Sequence, residues 1–266
     1  MIKADFHNHF LTSSKMERVG FNKPINRAVK RLGEGAVMGL VNFEDKRYEK
    51  YCSLDGYTRI DFRNAVYVPE KQALVVKGQE IQASSGEHIL VLGLEKDVHL
   101  KGFRTIEDTL KEAKDNNGII IADHPFHKHG IGFFLESHKE FLEFFDAIEV
   151  HNGLACFYIP GQTMPRANAK AHDFFNSVKE DFPMLGQVIS SDGHSVYEIG
   201  SSWMHFPSIN LLNSESILDS IKKGLINSRE YSPLGHEHNS YVGALDHMAD
   251  LYAYILTLKI SGKKLW

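Results

Sequence analysis

Short apolar, β-branched runs alternate with amphipathic stretches along most of this chain, and that alternation limits its fold more than any other feature. Such runs occupy residues 2–7, 36–41, 73–81, 88–94, 118–122, 147–150 and 187–190, with a weaker one at 204–209. The pattern predicts parallel strands joined by helices, an α/β protein. The third and fourth runs are separated only by Ala83, Ser84, Ser85 and Gly86, so they read as a hairpin. Thr105 with Asp108 and Ser137 with Glu140 resemble capping pairs; Ser214 opens a helical pattern at Ile217, Leu218 and Ile221, with Gly224 as its stop. No linker or repeat divides the chain, so residues 1–266 are read as one domain. Within it, 44–72 is polar, aromatic and aperiodic and reads as a lid or insertion, and 239–266 reads as a C-terminal helix packed on the barrel.

Composition excludes some functions. A formal charge of −4 gives no bulk positive field for nucleic acid or an anionic membrane, and no run is long enough to span a bilayer. Two cysteines, Cys52 and Cys156, make neither a disulfide framework nor a zinc-finger pattern. With no apolar signal region after Met1, a cytoplasmic location is expected. The chain carries 15 histidines, and their placement matters more than their number.

The first run ends Asp5-Phe6-His7-Asn8-His9, and residues two apart on a strand face the same side, so two imidazoles can meet one metal ion. The run at 118–122 leads into Asp123-His124-Pro125, and the run at 187–190 into Ser191-Asp192-Gly193-His194. Gly78-Gln79-Glu80 on one hairpin arm and Gly86-Glu87-His88 on the other add a carboxylate and an imidazole at the same end. Barrels build active sites where the C-terminal ends of their strands gather. His127, His129, His138, His172, His236, His238 and His247 lack this context and read as background.

Together with Ile148-Glu149-Val150-His151-Asn152-Gly153, these motifs resemble those of the PHP (polymerase and histidinol phosphatase) superfamily of metal-dependent phosphoesterases. The resemblance runs from Asp5 to about Gly224 and implies a distorted (β/α)7-type barrel with its metals at the C-terminal face of the strands. It implies that His7, His9, Glu80 and Asp192 hold one ion and that Glu80 bridges to a second on His88 and His124. Zn, Mn and Fe suit that donor set. Family members usually carry Ser-Asp-Gly after the first histidine pair and Thr-Asp-His after the second strand, where this chain has Ser13-Ser14-Lys15 and Val41-Asn42-Phe43. Two divalent ions are therefore expected, with the third site absent and His194 free of metal duty.

The implied activity is hydrolysis of a phosphate ester, a small phosphomonoester or nucleotide, by metal-activated water, with His194 and Asp192 as catalytic candidates and His194 as the acid. Lys15, Arg166 and Lys170 are candidate substrate-binding cations, and His151 a partner behind a ligand. The expected partner is a small phosphorylated molecule, with neither long nucleic acid nor membrane. Two alternatives stand beside this reading: an amidohydrolase-type enzyme, and a degenerate protein that binds a phosphorylated ligand without turnover.

Overall fold

The computed structural model describes residues 1–9, 13–43, 45–156, 166–229, 235–236, 245–246, 248–249 and 252. In chain order the elements are β1 (Ile2–Asp5), α1 (Ser13–Val19), α2 (Asn22–Leu32), β2 (Val37–Asn42), α3 (Arg47–Cys52), β3 (Ile60–Asp61), β4 (Ala65–Val68), β5 (Ala73–Gln82), β6 (His88–Leu92), α4 (Ile106–Asp115), β7 (Ile119–Ala122), α5 (Gly132–Ser137), β8 (Ala147–Asn152), α6 (Ala167–Val178), β9 (Gly186–Ser190), β10 (Ser202–Phe206), α7 (Ser214–Asn227) and β11 (Gly235–His236). All eight runs read from the sequence are strands.

The sheet runs β11-β10-β1-β2-β5-β6-β7-β8-β9 and curls into a nearly closed barrel. It is mixed, not wholly parallel: β1–β2–β5 and β7–β8–β9 are parallel, whereas β6 is antiparallel to both neighbours and β10 to β1. Closure is made by hydrogen bonds at the strand ends. Asp5 accepts from Ser191 N at 2.9 Å, Ser191 Oγ at 2.7 Å and Gly200 N at 2.8 Å, tying β1 to the chain after β9 and before β10. Burial raises the Asp5 pKa to about 6 against these bonds. Asp5→Ala would leave several buried donors without an acceptor, at about 1–3 kcal/mol each. We expect it to cost about 3 kcal/mol in urea unfolding; a loss below 0.5 kcal/mol would show that the closure does not depend on Asp5.

Two apolar cores flank the sheet. The larger joins the barrel strands to α4, α6 and α7, and Phe6 meets Phe206 edge to face at 5.3 Å. The smaller lies under α1, α2 and α3. Segment 45–72 is built into this second core: Tyr48 and Tyr51 are buried, Tyr51 Oη donates to Phe21 O at 2.6 Å, and β4 pairs with β5. Nearly all of 239–266, read as a terminal helix, lies outside the described residues.

Thr105 caps α4, its hydroxyl oxygen accepting from Asp108 N at 3.1 Å. The other two caps differ from expectation. Ser137 ends α5, and α7 is capped by Asn213, which accepts from Ser216 N at 2.8 Å. Gly224 does not stop α7 but lies within it, because a Cβ there would come within 2.1 Å of the Phe206 ring. No helix among the described residues is long and apolar enough to cross a membrane.

Candidate metal centre

β1, β2, β7, β8 and β9 end at one mouth of the barrel, and the β5–β6 turn lies at the same mouth because β6 runs back from it. Glu80, near the end of β5, is the hub. Its Oε1 lies 2.6 Å from His88 Nδ1 and 3.0 Å from His124 Nε2, and its Oε2 lies 3.1 Å from His9 Nε2. One carboxylate thus touches imidazoles from three segments.

Three donor groups result, each with ligand atoms within 4.8 Å of one another: His7, His9 and Glu80; Glu80, His88, Asp123 and His124; and His9, Asp192 and His194. Asp192 Oδ1 also lies 3.5 Å from His7 Nε2. All six sequence-proposed ligands therefore meet at this mouth. His194 is brought in as well, with Nδ1 3.6 Å from Asp192 Oδ1. His194 was expected to be free of metal duty; it lies beside Asp192 and His9 in a third donor group that includes neither Phe43 nor Ser14.

Tautomers and charges are set by neighbours. His9 Nδ1 lies 3.3 Å from Val41 O, and a proton donated there turns the Nε2 lone pair toward Glu80 and His7. The two Nε2 atoms are 3.1 Å apart. Burial holds the His9 pKa down to about 3, whereas the carboxylates of Asp192 and Glu149 overcome burial and raise that of His7. Burial also opposes charge on His124, but Asp123 and Glu80 lift its pKa to about 10. For Glu80 and Asp192, burial favours protonation but the imidazoles win, His88 foremost at Glu80 and His7 at Asp192, and both pKa values fall. Burial lowers the His194 pKa, with the charge of Arg47 acting in the same direction.

Two residues that sequence reasoning did not place belong here. Asp123 is fully buried, and burial raises its pKa to about 7. Glu149 lies 3.4 Å from His7 Nδ1 and accepts from His124 N at 2.6 Å, Asn152 Nδ2 at 2.9 Å and Ser190 Oγ. It orients His7 from behind, as carboxylates behind metal-binding histidines do. The signal was a carboxylate within an apolar strand.

A register shift between Glu149 and His151 explains why His151 is not in the cluster. The extra residue breaks the alternation of β8, and Asn152 then reaches Asp192 Oδ2 at 3.2 Å. His151 instead lies near Cys156 and Asn168, at 3.6 Å and 3.4 Å. Two residues of these donor groups carry strained backbone, with φ of 28° at His124 and 50° at Asp192, a cost usually met at functional sites. Gly193 lets the loops close: His9 N donates to its carbonyl at 2.7 Å, and a Cβ would meet Asn8 Oδ1 at 2.9 Å.

The donor chemistry fits divalent cations. Four buried carboxylates, Glu80, Asp123, Glu149 and Asp192, converge on buried imidazoles, an arrangement whose desolvation cost a cation offsets. Both Asp123 oxygens and His124 Nδ1 are buried without a hydrogen-bond partner among the described residues. Lys170 pairs with Glu136 at 2.9 Å and covers the rings of Phe126 and Phe133. Arg166 is exposed at the start of α6, and the side chain of Lys15 lies outside the described residues.

No protein-family model matches the chain, and no curated protein matches it in sequence. Solved structures do. Endonuclease Q, in complex with a 27-mer duplex substrate bearing an abasic lesion at the active site, is 14% identical with a TM-score of 0.57, over 84% of this chain and 56% of its own. The lesion-specific endonuclease PfuEndoQ from Pyrococcus furiosus is 14% identical with a TM-score of 0.55, over 85% and 56%. The chain shares the fold of these endonucleases, a nearly closed, barrel-shaped mixed sheet. It spans little more than half the length of those endonuclease chains. PsfC from Pseudomonas syringae PB-5123 is similar at 15% identity and a TM-score of 0.54, over 96% of this chain and 98% of its own.

These structures correct one expectation. Net charge argued against long nucleic acid, yet Endonuclease Q, to which this chain is similar in structure, was solved in complex with a 27-mer duplex substrate. The charge of the whole chain therefore does not exclude such a partner.

Proposed function

We propose that this protein is a metal-dependent phosphoesterase acting at the barrel mouth. The observation that carries the reading is the Glu80 carboxylate, shared between two donor groups as a bridging ligand would be. His7, His9, Glu80 and Asp192 would hold one cation, and Glu80, His88, Asp123 and His124 a second. Bound there, a divalent pair supplies Lewis acidity and lowers the pKa of water toward neutrality.

The chain's own residues do the rest. Glu149 fixes the proton of His7 on Nδ1, so that Nε2 faces the centre, and Asn152 steadies the Asp192 carboxylate. His194, at the rim with a side chain one quarter exposed, is placed to protonate the leaving alkoxide. A general acid contributes about 10²–10⁴-fold, most of it with poor leaving groups. His194→Ala is therefore expected to slow alkyl phosphate hydrolysis about 100-fold more than aryl phosphate hydrolysis, with metal content unchanged. Equal slowing of both, or loss of an ion, would make His194 a ligand and not the acid.

The activity is tested by a panel of phosphomonoesters, nucleotides and an oligonucleotide duplex on protein loaded with Zn, Mn or Fe, with amide substrates alongside. Hydrolysis of a phosphate ester that chelator abolishes is expected. Hydrolysis of amides alone, or tight phosphate binding with no turnover under any metal, would overturn the proposal.

A further inference from the structure

A fixed cation stands beside the third donor group, on a segment whose sequence gave no hint of it. Past the end of β2, Phe43 lies flat on His9, ring centroids 4.0 Å apart and 5° from parallel, and 6.3 Å from the His194 ring. Arg47, which opens α3, places its guanidinium 5.1 Å from the Phe43 centroid and donates Nη1 to the His9 carbonyl oxygen at 3.2 Å. Asp45 holds the other edge, accepting from Nε at 2.9 Å and from Nη2 at 2.6 Å. The Arg47 side chain is only 11% exposed.

A guanidinium has five N–H groups in a rigid fork. These contacts use one on Nε, one on Nη1 and one on Nη2, so each terminal nitrogen keeps one more N–H with no acceptor among the described residues. Two N–H donors, one on each terminal nitrogen of a pre-positioned plane, suit the oxygens of a phosphoryl group, and the geometry costs little further ordering entropy.

We propose that Arg47 is a phosphate-binding residue of this site. Its two remaining N–H groups take phosphoryl oxygens of the substrate beside the group formed by His9, Asp192 and His194. This rests on the phosphoesterase reading and adds where the anion is held. Asp45 sets the plane of the fork, and the bond to His9 O fixes its distance from the centre.

The test is calorimetric titration of inorganic phosphate into the metal-loaded full chain, with KM and kcat for a phosphate ester measured alongside. Arg47→Lys keeps the charge and loses the fork; Arg47→Gln loses the charge and keeps one donor for His9 O. Both are expected to weaken phosphate binding and raise KM by about 10- to 100-fold, with metal content kept and kcat changed less than KM. Phosphate affinity within twofold of wild type in either variant that retains its metal would overturn the proposal, as would a fall in kcat with KM unchanged. A metal-loaded wild type that neither binds phosphate nor hydrolyses any ester would overturn the phosphoesterase reading itself. An active wild type with unaffected variants would remove Arg47 alone.

Discussion

Glu80→Gln protein is expected to emerge from purification without its metal pair and with kcat/KM for a phosphate ester lowered about a thousand-fold, roughly 4 kcal/mol. The substitution keeps the volume of the side chain but removes the charge that His9, His88 and His124 share. Only one amide oxygen would remain to accept, where two carboxylate oxygens now serve three imidazoles. Neutralising one ligand of a shared pair should empty both positions, so elemental analysis separates this outcome from a local effect. Glu80→Gln protein that retains two ions and wild-type turnover would show that Glu80 packs the mouth without bridging.

Metal removal should have the second large effect, on stability. A ligand at 1,000 times its Kd adds about 4 kcal/mol to the folded state, which for a domain of this size raises Tm by about 8–16 °C. The increment should depend on pH in a definite sense. His7 and His124 have raised pKa values, His124 to about 10, so near neutrality each holds a proton that a cation must displace. Stabilisation at fixed total metal is therefore expected to grow from pH 6 to pH 8. Without metal the trends differ by group. The stability from His124 is complete below its unfolded pKa and lost as pH rises through about 10, whereas that from Glu80, whose pKa is lowered, is lost as pH falls below 4.5. Thermal scans with and without chelator at three pH values check both; a metal increment that shrinks as pH rises would contradict the assignment of imidazole ligands.

The strand framework was legible because each of the eight runs is locally apolar and β-branched, and burial leaves such segments few alternatives. Direction was legible only at β5 and β6, whose short link read as a hairpin and which do pair antiparallel. Nothing in the composition of β10 says that it pairs antiparallel to β1, since pairing is decided by connections and not by local pattern. β3 escaped because Ile60 and Asp61 are both exposed and carry no periodicity. β4 escaped because its four residues lie inside a polar stretch and gain their order from β5.

The cluster of donor side chains was legible wherever they follow strand alternation, as at His7 and His9. Legibility failed where the backbone departs from that rule. Asp123 and His124 are neighbours and should point apart, but the positive φ at His124 lets both approach Glu80. The register shift in β8 likewise hid Glu149 and Asn152 and drew attention to His151. Lys15 was read as a cation next to the altered ligands because it is close in sequence, and its side chain lies outside the described residues; among the described residues Arg47 is a cation near Phe43 and His9 in space.

The most direct test of a shared-carboxylate metal centre is the metal content of wild-type protein purified without chelator, measured by elemental analysis and followed by titration of the stripped protein. Two or more divalent ions per chain, with hydrolysis of a phosphate ester returning only as the second ion binds, is the expected result. Fewer than two ions per chain after reconstitution, or ester hydrolysis that survives complete stripping, would contradict it.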